Sequence, residues 1–121
     1  MLFSENKPIY LQIADGIMDA VQRGDYAAED RLPSVREYAA RVEVNANTVM
    51  RAYDWLQQQE IIYNKRGIGF FVDSHAGERI LAMRRRTFFG EEAAYFFGRL
   101  ASFGISPEEL TKLYSEYLAH Q

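Results

Sequence analysis

Residues 31–72 read RLPSVREYAARVEVNANTVMRAYDWLQQQEIIYNKRGIGFFV, and this stretch decides the fold. Ser34 with Glu37 three residues later forms a capping-box pattern, so a helix is predicted to begin at Val35. Asn45 is a good N-cap for a second helix. Two short apolar runs then flank a turn that contains glycine, which indicates a β-hairpin. Helix, turn, helix and hairpin in this order predict a winged helix-turn-helix, a fold that places one helix in the major groove of DNA.

The spacing of apolar residues separates a buried face from an exposed face on both helices. The predicted buried stripes are Val35, Tyr38, Ala39 and Val42 on the first helix and Val49, Ala52, Tyr53 and Leu56 on the second. The opposite face of the second helix carries Ala46, Asn47, Met50, Arg51 and Asp54. The hairpin is predicted to have strands at 61–63 and 70–72. Its turn is predicted at 64–67, where Gly67 permits backbone angles that other residues avoid.

Helices are also predicted before and after this stretch. Pro8 suits the first turn of a helix with apolar residues at helical spacing, and Gly24 offers its end. After a joint at 73–75, the pattern predicts one long helix or two helices broken at Gly90, and then a last helix that Ser106 caps. The expected fold is mainly α with a small β-hairpin. Residues 1–73 form a winged helix-turn-helix DNA-binding domain, and residues 74–121 form a short helical dimerisation tail.

The tail contains more large aromatic side chains than two helices can bury by themselves. Exposed apolar patches of that size usually mark an interface, and a symmetric homodimer is the commonest arrangement. The predicted interface residues are Phe88, Phe89, Phe96, Phe97, Tyr114 and Tyr117.

Composition excludes several other classes of protein. The chain has 121 residues, no cysteine and a net charge of −3, so disulfides, thiolate catalysis and a strongly basic nucleic-acid coat are excluded. No apolar run approaches the roughly 20 residues that span a bilayer. The segment 1–10 lacks an apolar signal core, so the expected location is the cytoplasm.

Catalytic and cofactor motifs are missing from the sequence. It holds no phosphate loop, nucleophile motif or dinucleotide fingerprint, so neither an enzyme nor a cofactor is expected. The acidic pairs at 91–92 and 108–109 are neighbours along helices, and neighbouring helical residues do not face each other. A metal site at Asp73 and His75 is disfavoured, because no cluster of ligands accompanies them. The basic run at 84–86, with Arg79, is expected to be a solvated helix face.

The segment from Pro8 to Val72 resembles the winged-helix domain of the GntR family of bacterial transcription regulators. PIYLQIADGI, LPSVREYAA, VNANTVMRAYDWL and KRGIGFFV match the family pattern in order and spacing. The short helical tail is similar to the YtrA-like subfamily, whose C-terminal part is a small dimerising hairpin of helices. The resemblance implies a sequence-specific DNA-binding regulator, most simply a repressor that acts as a homodimer on a near-palindromic operator.

The resemblance also implies the site residues. Arg36, in the LPSVRE motif, would contact DNA, the start of the second helix would read bases, and the tip of the hairpin would enter the minor groove. Many relatives carry arginine where this chain has Ala46 and Met50, so Asn47 and Arg51 are expected to take more of the base readout. The DNA-binding set is Ser34, Arg36, Asn45, Asn47, Thr48, Arg51, Lys65, Arg66 and Gly67.

Another function stays open at this point. A winged helix can serve as a protein-interaction module that does not read DNA, and the acidic pI of about 5.4 slightly favours that alternative. The expected partners are double-stranded DNA and a second copy of the chain. A small-molecule effector is the weaker hypothesis, because no pocket-forming domain remains beside the dimer interface.

Overall fold

The computed structural model describes residues 6–121. The segment 1–10, which was predicted to lack a signal core, therefore lies partly outside the described residues. In chain order, the elements are α1 Ile9–Arg23, α2 Val35–Val42, α3 Ala46–Gln58, β1 Ile62–Lys65, β2 Gly69–Val72, α4 Ala76–Thr87, a π-helical segment Phe88–Glu92, α5 Ala93–Ser102 and α6 Pro107–Ala119. The predicted fold class, mainly α with a small β-hairpin, is confirmed.

The predicted helix caps are present as hydrogen bonds. The Ser34 hydroxyl accepts the Glu37 N–H at 3.1 Å while the Glu37 carboxylate accepts the Ser34 N–H at 2.9 Å, which completes the capping box of α2. Asn45 caps α3, and the Ser106 hydroxyl accepts the Glu109 N–H at the start of α6. Gly24 ends α1 with a φ of 89°, a conformation that glycine adopts at little cost. The starts predicted for α2, α3 and α6 are confirmed.

The hairpin turns slightly later than predicted. β1 and β2 pair antiparallel from Ile62–Val72 to Lys65–Gly69, and the Ile68 N–H closes the turn on the Lys65 carbonyl at 2.8 Å. The prediction that Asn64 and Lys65 lie in the turn was wrong, because the ladder continues: Asn64 pairs with Phe70 and Lys65 pairs with Gly69. Gly67, with a φ of 79°, occupies the turn itself.

The hairpin is held to the helices by a segment that the sequence did not predict as extended. Residues 29–32 run along the free edge of β2. The Glu29 N–H donates to the Val72 carbonyl, the Val72 N–H donates to the Asp30 carbonyl, and the Leu32 N–H donates to the Phe70 carbonyl, at 2.8–2.9 Å. Since a two-stranded ribbon is only marginally stable alone, this third segment fixes the wing against the turn that precedes α2.

The core of this region is apolar and draws on helices and hairpin alike. Its largest fully buried side chains are Ile17, Val49, Tyr53, Leu56, Ile61, Val72 and Ile80. Tyr53 makes edge-to-face contacts with Tyr38 of α2 and Phe70 of β2, at centroid distances of 6.3 and 5.0 Å. One α3 side chain therefore packs against both α2 and the wing.

Two compact units divide the chain, the first ending at Ala82 and the second beginning at Met83, inside α4. Ala76 and Ile80, from the first turns of α4, are buried and belong to the first unit. The assignment of residues 1–73 to DNA binding and of 74–121 to dimerisation stays a prediction. No helix in the described part of the chain is long and apolar enough to cross a membrane.

The second unit contains the π-helical segment, α5 and α6. One predicted alternative was a break in the helix at Gly90. The chain instead stays helical there, because Gly90 lies within the π-helical segment. Gly104, with a φ of 70°, follows α5, and the Ile105 N–H donates to the Leu100 carbonyl at 3.0 Å. This pattern is the Schellman closure that commonly ends a helix.

Candidate nucleic-acid interface

The start of α3 presents polar side chains next to its N-cap, whose hydrogen bond is formed. The Asn45 side-chain oxygen accepts the Asn47 N–H at 2.7 Å, which confirms Asn45 as the N-cap. The Asn47 side chain is exposed and Thr48 is half-buried, on the first turn after that cap. The Asn47 amide, which can both donate and accept, therefore faces solvent at the position from which a recognition helix contacts base edges.

Arg51 follows Asn47 by one turn of α3 but is turned toward α1. Its guanidinium carbon lies 4.1 Å from the centroid of the Tyr10 ring, a distance typical of a cation–π contact. Asp54, Trp55 and Gln58 complete a shallow concavity of about 250 Å³ around this pair. Arg51 is thus an exposed charge whose direction is set by an aromatic ring on another helix.

A groove of about 400 Å³ separates the first turn of α2 from the wing. Leu32 and Phe70 contribute apolar surface to it. Its polar and turn residues are Arg31, Ser34, Arg36, Asn64, Gly67 and Gly69. The structure therefore brings three of the predicted site residues, Ser34, Arg36 and Gly67, to the same groove.

Lys65 lies on the other face of the wing. Its Nζ atom is 4.7 Å from the centroid of the Phe71 ring, and Phe71 in turn stacks on Tyr63 at 5.9 Å. Because alternate residues of a strand point to opposite faces, Lys65 and Asn64 project from opposite sides of β1. The structure does not bring Lys65 to the groove that Arg36 lines, and Arg66 is exposed in the turn.

The Glu37 carboxylate at the start of α2 is held in place by hydrogen bonding to Ser34. The hydrogen bond from the Ser34 backbone N–H lowers the pKa of Glu37, and the Ser34 hydroxyl and the charges of Arg31 and Arg41 add to the effect. Glu37 therefore remains ionised and is held at the cap. None of the residues that line the groove between α2 and the wing carries a carboxylate.

Arg79 is engaged in hydrogen bonds within the protein. Its guanidinium donates to the Asp73 carboxylate and to the Glu60 backbone carbonyl, both at 2.7 Å, which ties α4 to the end of β2 and to the turn after α3. His75 pairs with Glu78 at 2.9 Å. In the part of the chain that the structure describes, no group of three His, Cys, Asp or Glu residues could hold a metal ion.

Two residues of the groove were not singled out from the sequence. Asn64 was assigned to the turn, and only the extended β1 strand places it opposite Phe70 on the groove side. Arg31 immediately precedes Leu32-Pro33-Ser34, but its position depends on the pairing of 29–32 with β2, which is not a local feature. Strand alternation could have found Asn64, and no sequence pattern indicated Arg31.

The predicted interface residues of the tail form an apolar concavity in the second unit. Phe88, Phe96, Phe97 and Tyr114 line a space of about 520 Å³ together with Leu110. Phe89 packs edge-to-face on Phe88 at 5.2 Å but does not line it, and neither does Tyr117. All six predicted residues are exposed in the chain taken alone.

Comparison with known proteins agrees with this geometry. The family described as bacterial regulatory proteins, gntR family, matches residues 9–72. The uncharacterized HTH-type transcriptional regulator YhcF of Bacillus subtilis is 35% identical over 108 residues, which cover 89% of this chain and 88% of YhcF. The HTH-type transcriptional repressor YtrA of the same organism is 39% identical over 69 residues, 57% of this chain and 53% of YtrA.

A solved structure agrees along nearly the whole chain. The crystal structure of a GntR-family transcriptional regulator from Bacteroides thetaiotaomicron superimposes with a TM-score of 0.81 at 54% sequence identity, and the match covers 94% of this chain and 99% of that one. The winged helix and the short helical tail are thus shared with a transcriptional regulator of the GntR family. This chain belongs to the GntR family of DNA-binding bacterial transcription regulators, and YtrA-type regulators are among its relatives.

Proposed function

We propose that this chain is a cytoplasmic repressor that binds a near-palindromic operator as a homodimer. The observation that carries the proposal is the groove between α2 and the wing, which Arg36 and Arg31 line and to which no residue with a carboxylate contributes. Phosphate contacts of this kind fix the orientation of a protein on the duplex, and side chains in the grooves then read the sequence.

The proposed contacts divide among three elements. The N-terminal half of α3 lies in the major groove, where Asn47 suits adenine because its amide can pair with both N6 and N7. Thr48 can offer its hydroxyl to a phosphate or its methyl to a thymine, while Asn45 serves mainly as the cap. Ser34 and Arg36 brace the backbone at the first turn of α2.

The third element is the tip of the wing. Gly67 allows the turn to be narrow, and Lys65 and Arg66 bring positive charge to it. A basic tip of this kind suits a narrow minor groove, whose negative potential attracts cationic side chains. In the free protein Arg51 lies against the Tyr10 ring, and we expect it to share base readout in the major groove with Asn47.

The homodimer is supported by the aromatic surface of the second unit. Phe97 is 51% exposed and Tyr114 is 60% exposed, beside a concavity lined by further aromatic rings. Large apolar side chains left in water at this density are typical of a subunit interface, and a two-fold dimer buries the same patch on both copies. Two copies of α3 would then meet half-sites about one helical turn or slightly more apart.

Repression is the proposed direction of regulation. YtrA of Bacillus subtilis, which resembles this chain over its winged helix, is named as a transcriptional repressor. A dimer bound across a promoter needs no further surface to block transcription.

The test is recovery of genomic fragments by the purified protein at about 150 mM salt, where weak non-specific contacts are screened. An inverted repeat among the recovered fragments is the expected result, and placing that repeat upstream of a reporter gene should lower expression. Recovery of nothing by a folded, dimeric sample would contradict operator binding by the protein alone. Recovery of fragments with a single half-site would contradict the dimeric mode.

A further inference from the structure

We propose that Arg31 is a further DNA-contacting residue, which holds the sugar-phosphate strand together with Arg36 in the groove between α2 and the wing. This inference rests on the proposed positions of α3 in the major groove and of the wing in the minor groove. It adds a residue to the interface that neither the motifs of the sequence nor the family pattern indicated.

The main chain determines where Arg31 lies. Arg31 forms an isolated antiparallel bridge with Phe71, and the neighbouring Leu32 N–H donates to the Phe70 carbonyl at 2.8 Å. Residue 31 is therefore fixed to the edge of β2, between the turn that precedes α2 and the wing. A long side chain at this position reaches both elements.

The side chain crosses the backbone of Gly69. A Cβ atom added to Gly69 would lie 2.9 Å from Nε of Arg31 and 3.4 Å from Nη2, so no larger residue fits there without displacing the guanidinium. Gly69 also has a φ of 146°, which side-chain-bearing residues rarely adopt. The guanidinium thus lies over a bare stretch of strand, at the groove that Arg36 also lines.

The charge of Arg31 is available to a ligand. The side chain is exposed, and among residues 6–121 it forms no hydrogen bond or ion pair. The acidic group that its charge influences is Glu37, whose carboxylate is engaged by the Ser34 N–H in the capping box. Two guanidinium groups that border one groove suit a phosphate, which can accept several hydrogen bonds at once.

In the proposed complex, one sugar-phosphate strand of the DNA passes through this groove. A major groove and the adjacent minor groove are separated by one sugar-phosphate strand. If α3 occupies the first and the wing the second, that strand has to pass between the helices and the wing. The groove bordered by Arg31 and Arg36 is the space between those elements.

The experiment compares Arg31→Ala with Arg41→Ala in the full chain. Both arginines are exposed and both influence Glu37, but Arg41 does not line the groove between α2 and the wing. Binding is measured across a series of salt concentrations, on a duplex carrying a genomic inverted repeat recovered by the wild-type protein and on an unrelated duplex of equal length. Arg31→Ala should weaken binding to both duplexes about three- to tenfold and reduce the salt slope by about one.

The outcomes separate this inference from the proposed function. A lower affinity and a smaller salt slope in Arg31→Ala, with wild-type affinity and slope in Arg41→Ala, support the assignment of Arg31 as a DNA contact. Unchanged affinity and slope in a folded Arg31→Ala variant would overturn it while leaving operator binding intact. If the wild-type protein recovers no genomic inverted repeat, the proposed function itself fails, while the affinity and salt slope on the unrelated duplex still test Arg31.

A second comparison tests the role of Gly69. Gly69→Ala should displace the Arg31 guanidinium and also strain the backbone of the wing, so it should weaken DNA binding by a larger factor in the wild type than in a chain that already carries Arg31→Ala. Equal losses in both backgrounds would show that Gly69 acts on the wing without positioning Arg31. Thermal unfolding of all variants serves to confirm that they are folded.

Discussion

The Tyr53 hydroxyl donates a hydrogen bond of 2.6 Å to the Pro33 carbonyl, which joins the middle of α3 to the turn that starts α2. Tyr53 is fully buried, and burial raises the pKa of its hydroxyl well above the ordinary range, so the group stays protonated and keeps its donor. The two helices of the helix-turn-helix are thus joined by a buried hydrogen bond within an apolar core.

Tyr53→Phe should lower the free energy of unfolding by about 1–2 kcal/mol, because the ring packing is kept while the Pro33 carbonyl loses its partner. Urea unfolding of the wild type and the variant measures the difference. Tyr38→Phe is the matched control, since Tyr38 is half-buried and its hydroxyl forms no hydrogen bond among the described residues. A similar loss in both variants would contradict a special role for the bond to Pro33.

The capping box of α2 should make stability depend on pH in the acidic range. The pKa of Glu37 is lowered in the folded chain, so the stability it contributes is fully present above its ordinary pKa. That contribution is lost as the pH falls from the ordinary glutamate pKa through the lowered pKa of the folded chain. Glu37→Gln should keep the cap at neutral pH, since glutamine also serves in a capping box, and should remove this part of the acid dependence.

Unfolding free energies measured along that pH series test the cap. Glu116→Gln makes the same change of charge on α6, away from the box, and should leave the acid dependence of the wild type in place. An unaltered pH profile in Glu37→Gln would show that the capping carboxylate does not contribute.

Local features of the fold were predictable because their hydrogen bonds join residues close in sequence. Ser34 with Glu37, Asn45 with Asn47, and Ser106 with Glu109 all form caps within one turn. Helix ends were less well marked, since Glu43 and Glu60 take the left-handed conformation that usually calls for glycine, with φ of 58° and 60°. Because both positions hold glutamate and not glycine, the residue type gave no indication that a helix ends there.

Contacts between distant residues were not predictable from patterns. The pairing of the segment 29–32 with β2 depends on a strand about forty residues later in the chain. The direction of Arg51 likewise depends on Tyr10 of α1. Of the residues that line the groove, the motifs therefore indicated Ser34, Arg36 and Gly67, whereas the position of Arg31 follows only from the assembled wing.

Asn47→Ala should weaken binding at one base pair of the operator and leave non-specific binding unchanged. The expected loss is about 1–3 kcal/mol, the usual value of one bidentate contact between an amide and adenine. Competition among duplexes substituted at each position of the half-site identifies the base. Gln58→Ala, which removes an exposed amide from the other end of α3, is the control and should bind as the wild type does. Equal losses on every sequence would exclude Asn47 as a base-reading residue.

Phe97→Glu should separate the proposed dimer into monomers. Phe97 lines the apolar concavity of the second unit, so a carboxylate there would be buried without a partner when two copies associate. The dissociation constant of the dimer should rise by at least about tenfold, measured by sedimentation equilibrium over a range of protein concentrations. Phe103→Glu makes the same substitution at a side chain that is 66% exposed and lies outside the concavity, and it should leave association intact. Because two half-sites are held by one dimer, the Phe97 variant should also lose its preference for an inverted repeat over a single half-site. A Phe97→Glu chain that remains dimeric would place the subunit interface elsewhere.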